Sequence, residues 1–419
     1  MRQRNPWTWI PQLNFAKGLP YVTLTVLSLI LYKQMGLSNS DITFYVSWFY
    51  LPWALKPLWS PFMRVWKSRR WWIVAMQLLI GAAYSGVAFS IPTEGWLQGT
   101  LFCFWAMAFA CAAHNVAVDS VFFTELDDEH RKNFRGIRSA CYRIAYVFGQ
   151  GVLVMIAGNW QVIYRNDIAY SWSLIFYATA GIILLIWLSS IYLLYTAKHD
   201  EHTHDKTVQE AWNGVKTSCK RFLAEPNVRL TICFLLFYTM PEGLLSKVAT
   251  LFLIDAYHAG GLGLSPQEYG LVQGTLGVIG LMFGSLLGRK AVRRDGIRFW
   301  LWPMALAMTL PDLVYIYLSY ALPSSLSIVN ICVFIEQFGY GFGLIAYLTF
   351  ISNTKQGHDE TGHNAICKSI VAMSMMLPGM LSGMLQESMG YQGFFILAVA
   401  TGLLTLSATG MLLNSDFEK

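Results

Sequence analysis

Charge is scarce in this chain. Of its 419 residues only 13% are Asp, Glu, Lys or Arg, against 55% hydrophobic and 15% aromatic. A soluble globular domain carries about 25% charged residues, so the scarcity excludes that class and directs attention to long apolar runs. The mean hydropathy of +0.43 points the same way. Catalytic signatures are absent too: there is no G-x-x-x-x-G-K-[ST] phosphate loop, no H-E-x-x-H pair and no G-x-S-x-G elbow. Neither an enzyme nor an ATP-driven pump is therefore expected. The seven cysteines (103, 111, 141, 219, 233, 332 and 367) contain no C-x-x-C spacing and lie mostly in apolar runs. They read as small core residues and not as a disulfide framework or a metal site. No cleavable signal peptide is visible, since Arg2, Arg4, Trp7, Pro11 and Lys17 interrupt the start; the first span is expected to act as an uncleaved anchor.

What the chain does contain is about twelve segments near the twenty-residue length that crosses a hydrocarbon core. They run from 13–35, 42–63, 71–91, 97–123, 137–157 and 171–195, then 228–256, 269–287, 299–318, 325–349, 365–385 and 391–413. Nothing in them alternates like barrel strands, and unpaired backbone groups in lipid cost several kcal/mol each, so helices are required. The expected fold is an all-α integral membrane protein of twelve transmembrane helices in two six-helix halves. A first bundle spans 1–196, a cytoplasmic linker 197–227 and a second bundle 228–419.

The net charge of +6 is a topology signal. Arg64, Lys67, Arg69 and Arg70, then Arg131, Lys132, Arg135 and Arg138, then the basic residues of 198–229, then Arg289, Lys290, Arg293, Arg294 and Arg298 fall in every second connection. With both termini and Lys355, that side carries 23 Lys and Arg; the other carries Lys33 and Arg165 alone, and five more lie within spans. The positive-inside rule then makes both termini cytoplasmic. Nucleic acid is not needed to explain the charge. The expected partners are a small-molecule substrate and the lipid bilayer, and the chain is expected to act as a monomer.

The linker carries an amphipathic pattern, with Val208, Trp212, Val215, Cys219 and Phe222 at helical spacing and Pro226 as its stop. Such a helix is expected to lie along the cytoplasmic membrane surface. The run 198–205 before it is rich in His and Asp and could bind a metal, but a solvated charge run is the preferred reading, so no metal site is assigned.

Ionisable residues inside spans are costly, on the order of 3 kcal/mol each, and are functional hypotheses by default. Asp119 stands before a basic turn and Arg143 after it. If two helices meet near His130–Arg131, both groups lie at nearly equal depth and would pair. Asp119 could then carry the coupling proton, the two could form a permanent ion pair near a gate, or Asp119 could partner Arg64 or Arg69. Glu242 and Glu336 are further acids embedded in apolar sequence, and Glu336 is the choice for protonation in the second half because no basic residue lies near it in its own span. Lys17 and Lys247 would suit an anionic substrate, although Lys17 could equally snorkel to the interface. Tyr21, Tyr142, Gln150, Gln337 and Tyr340 suit sugar hydroxyls and rings, each with helix packing as its alternative. Gly339, Gly341 and Gly343, with Gly379 and Gly383 beyond Pro378, are expected to let helices approach closely. No cofactor is expected; a proton gradient would supply the energy.

The halves echo each other. A basic loop (289–294) follows the eighth span as another (64–70) follows the second, and Met240-Pro241-Glu242-Gly243-Leu244 answers Phe15-Ala16-Lys17-Gly18-Leu19-Pro20. Six plus six spans with basic loops at these places is the layout of the major facilitator superfamily, whose site lies between the halves near the midplane. Phe15-x-x-Gly18-Leu19-Pro20, Lys56-Pro57-Leu58-Trp59-Ser60-Pro61-Phe62-Met63, Val118-Asp119, Tyr142-Arg143, and Phe334-Ile335-Glu336 followed by Gly341-x-Gly343 together resemble the AmpG muropeptide permease family and its relatives, the acetyl-CoA transporters. The resemblance runs over nearly the whole chain. It implies a permease, a symporter working by alternating access, that imports an amino-sugar cell-wall fragment across the inner membrane on a proton gradient. The family reads Gln-Asp-Ile-x-x-Asp where this chain has His114 and Asn115 before Asp119, and an acid where it has Arg64. His114 and Asn115 join the substrate-binding candidates. Another cargo (a sugar or oligosaccharide, acyl-CoA or a siderophore) and a substrate sensor without transport stay open.

Overall fold

The computed structural model describes residues 5–194, 207–353 and 360–414. The His- and Asp-rich run 198–205 lies outside the described residues. Helices form every regular element among them. Ten are long and apolar enough to cross a membrane: Pro6–Gln34, Arg69–Ser90, Trp96–Glu125, Glu129–Ile163, Ile168–Leu194, Val228–Ile254, Pro266–Asp295, Ile297–Ala321, Leu326–Asn353 and Gly362–Leu413.

The difference from the expected twelve lies in two places. Residues 42–63 do not form one helix; they are divided among Asn39–Trp48, Leu51–Ala54, Lys56–Trp59, a 3-10 turn at Ser60–Phe62 and the start of Met63–Trp66. Pro52, Pro57 and Pro61 each remove a backbone donor and clash with the preceding turn, which divides the run. At the other end, the segments expected at 365–385 and 391–413 are two helices that meet without a loop inside Glu360–Leu413, at Gly390 with φ 72° and ψ 172°. Only glycine reaches that conformation without strain.

Local chemistry sets several helix starts. Ser38 accepts from the Asp41 amide, Ser68 from the Trp71 amide and Asp127 from the His130 amide. Ser265 and Glu268 form a reciprocal capping box. Three spans contain a π-helical turn, at Thr23–Leu27, Val147–Leu153 and Val272–Gly277. Such turns expose backbone carbonyls within a helix and often accompany functional positions.

The residues divide into two compact units, Met1–Leu31 with Leu58–Val215, and Tyr32–Pro57 with Lys216–Lys419. In the first, Ile10, Leu13, Ile73, Val118, Phe122 and Phe134 form a common core. Gly18 lets helix 10–22 meet helix 128–146, since a Cβ there would stand 2.8 Å from both the Ala145 Cβ and the Tyr142 carbonyl. In the second, Phe234, Leu235, Leu301, Met304, Ala346, Phe350 and Leu412 form the core. Helices 266–295 and 326–353 cross backbone to backbone, with Gly284 against the Phe338 carbonyl and Gly341 against Leu281. Gly339 faces Ala307 and Pro311, and Gly343 faces Met304 and Met308. Helix Val208–Leu223 buries Ala211, Val215 and Phe222, while Val208 and Trp212 are exposed and Trp212 stacks on Phe62 at 6.3 Å.

Candidate functional site

In the first unit the chemistry gathers on Asp119. The helix Trp96–Glu125 ends before Leu126–Asp127, and the next helix starts at Asp128. The turn therefore comes about four residues earlier than the basic cluster suggested, and His130 to Arg138 are helical. Equal depth with Asp119 now falls near residue 134, so Arg138, one turn further, is the basic residue whose long stem reaches back. Arg138 Nη2 lies 2.5 Å from Asp119 Oδ1, and Lys17 Nζ lies 2.7 Å from the same oxygen. Arg138 and Lys17 thus join the expected Arg143 as basic residues facing this acid's neighbourhood; Arg143 stands about a turn and a half beyond Arg138 on the same helix, half-buried. Lys17 is turned into the bundle toward the acid.

Arg138 is also held by Asn14, whose Oδ1 accepts from Nε at 3.4 Å, and by the Phe122 ring 4.0 Å below the guanidinium. One carboxylate thus serves two cations, leaving the group at +1 while Asp119 is ionised. Beside it Tyr21, Tyr142 and Tyr146 form an aromatic trio with centroids 5.6–6.3 Å apart. Gln150 is buried in the π turn of the same helix. His114 is fully buried, with Nε2 3.3 Å from Gln77 Nε2; its Nδ1, the Asn115 Oδ1 and the Gln77 Oε1 have no hydrogen-bond partner. Buried polar atoms of this kind ordinarily find a hydrogen-bond partner.

In the second unit three acids share one neighbourhood. Glu242, Asp312 and Glu336 are buried and lie within electrostatic reach of one another. Glu336 accepts from Gln337 Nε2 at 3.0 Å and from Tyr315 Oη at 3.4 Å. Asp312 escaped the sequence reading, although an acid behind Pro311 inside the apolar run 299–318 was a legible signal. Lys247 is the cation in reach of Glu242. Tyr340 packs against the core of this unit, half-buried.

A second network was missed as well. Lys33 Nζ donates to Asp255 Oδ2 at 2.9 Å and to Asn39 Oδ1 at 2.8 Å, while Tyr391 Oη donates to Asp255 at 2.9 Å and Asn39 Nδ2 to Gln386 at 2.7 Å. It ties the segment 32–57 to helix 360–413, and Gly383 brings the helices into contact by facing the Asn39 carbonyl and Thr43 Oγ1. The signal was Lys33 itself, one of two basic residues on the sparsely charged side. Among the described residues no group of three His, Cys, Asp or Glu could hold a metal ion.

Comparison with known proteins places this arrangement. A family model described as Major Facilitator Superfamily matches residues 18–365. The Anhydromuropeptide permease of Escherichia coli (strain K12) is 23% identical over 401 residues, covering 93% of this chain and 76% of the relative. The "Putative transporter AmpG 4" of Rickettsia conorii is 22% identical over 404 residues, covering 93% and 92%. Among solved structures, the nucleoside transporter NupG superposes with a TM-score of 0.68 at 12% identity over 96% of this chain and 98% of that one. A bacterial homolog of the human lysosomal transporter Spinster, inward-facing and occupied, superposes with a TM-score of 0.71 at 16% identity over 97% and 95%. At these identities the superpositions speak for the fold.

Proposed function

The chain belongs to the Major Facilitator Superfamily, and we propose that it is a proton-coupled importer of an amino-sugar cell-wall fragment of the muropeptide type. It is a multi-pass membrane transporter and not an enzyme. The observation that carries the cargo is the similarity to an anhydromuropeptide permease over 93% of the chain. Both termini are assigned to the cytoplasm by the positive-inside rule, and the chain is taken to act as a monomer.

Proton coupling rests on charge balance. Glu242, Asp312 and Glu336 with Lys247 would carry an excess of two negative charges if all were ionised, and protons neutralise that excess at least cost in a desolvated place. Glu336 is the acid whose named partners are neutral donors, which suits loading and release of a proton, with Glu242 and Asp312 beside it. Asp119, held between Lys17 and Arg138, serves gating in the first unit. Tyr21, Tyr142, Gln150, Gln337 and Tyr340 supply rings and amides for sugar groups. A second reading, transport of another polar cargo, is favoured by His114 and Asn115: they present neutral polar atoms where the AmpG pattern has an acid.

Uptake of labelled GlcNAc-anhydro-muramyl substrate into proteoliposomes tests the proposal. Accumulation that requires an inward acid gradient, and that Glu336→Gln abolishes while counterflow exchange persists, is the expected result. Accumulation independent of the gradient, or no uptake by folded protein, rejects it and turns the search to sugars, acyl-CoA and siderophores.

A further inference from the structure

Lys247 is 4% exposed, and its ammonium has no hydrogen-bond partner. An ammonium withdrawn from water without acceptors is costly, and an intramembrane cation is retained where something negative meets it during function. Its surroundings are shaped for that. The Tyr50 ring stands 5.2 Å from Nζ, within cation–π range. The ammonium packs directly against the Gly379 backbone: a Cβ there would collide with it, would come within 2.8 Å of Ser47 Oγ and would lie 3.2 Å from the Gly243 carbonyl. Ser47 and the Gly243 backbone therefore lie beside the ammonium, and only the absence of a side chain at Gly379 leaves room for it. Glu242, just over one turn earlier on the helix, is within electrostatic reach and is the nearby counter-charge.

We propose that Lys247, walled by Tyr50 and Gly379 with Ser47 at its side, is an anion subsite that receives a compact carboxylate or phosphate group of the cargo, with Glu242 as its counter-charge at rest. The proposal deepens the transport reading above and rests on it for access, since a carrier of this superfamily opens its site alternately to the two sides. One ammonium suits one small anionic group as a point charge; it lacks the fork that reads a carboxylate bidentately. Specificity for the rest of the cargo must come from other groups.

Thermal unfolding of the purified full chain with matched ligand pairs tests the subsite without assuming the cargo. The pairs are GlcNAc-anhydro-muramic acid and its primary amide, N-acetylmuramate and its primary amide, and N-acetylglucosamine 6-phosphate and N-acetylglucosamine. In at least one pair the anionic member should bind the wild type ~10- to 100-fold more tightly than the neutral one, the range of one charge-assisted contact, and Lys247→Met should erase the difference. Met removes a buried charge at similar volume, so that variant should fold. Gly379→Ala, which displaces the ammonium instead of deleting it, should weaken the anion and spare the neutral partner, whereas Glu242→Gln should tighten the anion. Equal binding of the anion to wild type and Lys247→Met overturns the subsite, as does the absence of any anion preference or a loss of anion binding in Glu242→Gln. If the sugar phosphate alone shows the Lys247-dependent preference, the subsite stands and the muropeptide reading falls. If the muropeptide accumulates equally in wild type and Lys247→Met, the cargo stands and the subsite falls.

Discussion

Replacing Asp119 by asparagine keeps the shape of the side chain and removes the charge that holds Lys17 and Arg138 together. Both cations approach the same oxygen, at 2.7 and 2.5 Å, so their nitrogens are no more than about 5 Å apart. Two like charges at that distance repel by roughly 3 kcal/mol at an effective dielectric near 20. Two charge-assisted hydrogen bonds, each about 1.5–3 kcal/mol, are weakened as well. The side chains are 16–23% exposed, so water screens part of both effects and a net loss of about 3 kcal/mol is expected, at the lower end of the range for a broken buried pair. Equilibrium unfolding in mixed micelles measures it, with Lys17→Met as the second arm of a double-mutant cycle. Asp119→Asn combined with Lys17→Met should be more stable than Asp119→Asn alone, because one of two repelling cations is gone. A single variant within 0.5 kcal/mol of wild type, or a double variant less stable than the single, would refute the shared-carboxylate account.

Other consequences separate packing from charge. Gly18→Ala should cost about 1–3 kcal/mol, because its Cβ would press on Ala145 and the Tyr142 carbonyl, whereas Gly136→Ala on the same pair of helices meets open space and should stabilise by roughly 0.5–1 kcal/mol; comparable effects in unfolding assays would contradict the close crossing. Lys33→Met should destabilise by leaving the buried Asp255 carboxylate without its cation, with the Tyr391 hydroxyl and the Ala256 amide as neutral donors, and adding Asp255→Asn should recover at least about 1 kcal/mol of that loss; additive losses in the cycle would count against the pair. Asp127 lies in the loop, where the His130 amide and then the His130 ring hold its carboxyl below the ordinary carboxylate range. Its folded pKa is depressed, so its contribution is present above about pH 4 and fades as pH falls through the lower folded value. Asp127→Ala should therefore be less stable than wild type at neutral pH and converge with it in acid; a gap that persists in acid would show that charge is not involved.

How far the sequence could be read depended on the range of the interaction. Asp312 was within reach, as an acid behind a proline in an apolar run, but its companionship with Glu242 and Glu336 was not, since the three stand on helices separated by long stretches of chain. The contact of Asp119 with Arg138 is not legible in the sequence, because the basic run 130–135 reads as a turn and is the first turns of a helix. A shift of about four residues in the turn moves the facing position by about one helical turn, which brings Arg138 within reach of Asp119.

The sequence alone determined that this is a helical membrane protein of the major facilitator type, because hydropathy and the cost of unpaired backbone in lipid act locally along each segment. It also marked most of the ionisable residues that lie inside spans, since scarcity makes each of them conspicuous. Only the tertiary structure decided which of these groups meet. Helices apolar on nearly every side carry little pattern to say which face turns inward. The crossing points are set instead by small residues such as Gly18, Gly284, Gly341 and Gly383, by prolines that divide 42–63, and by the break at Gly390. Those backbone contacts bring Lys17 and Arg138 to one oxygen, Lys33 to Asp255 across 222 residues of chain, and the Lys247 ammonium against the backbone of Gly379.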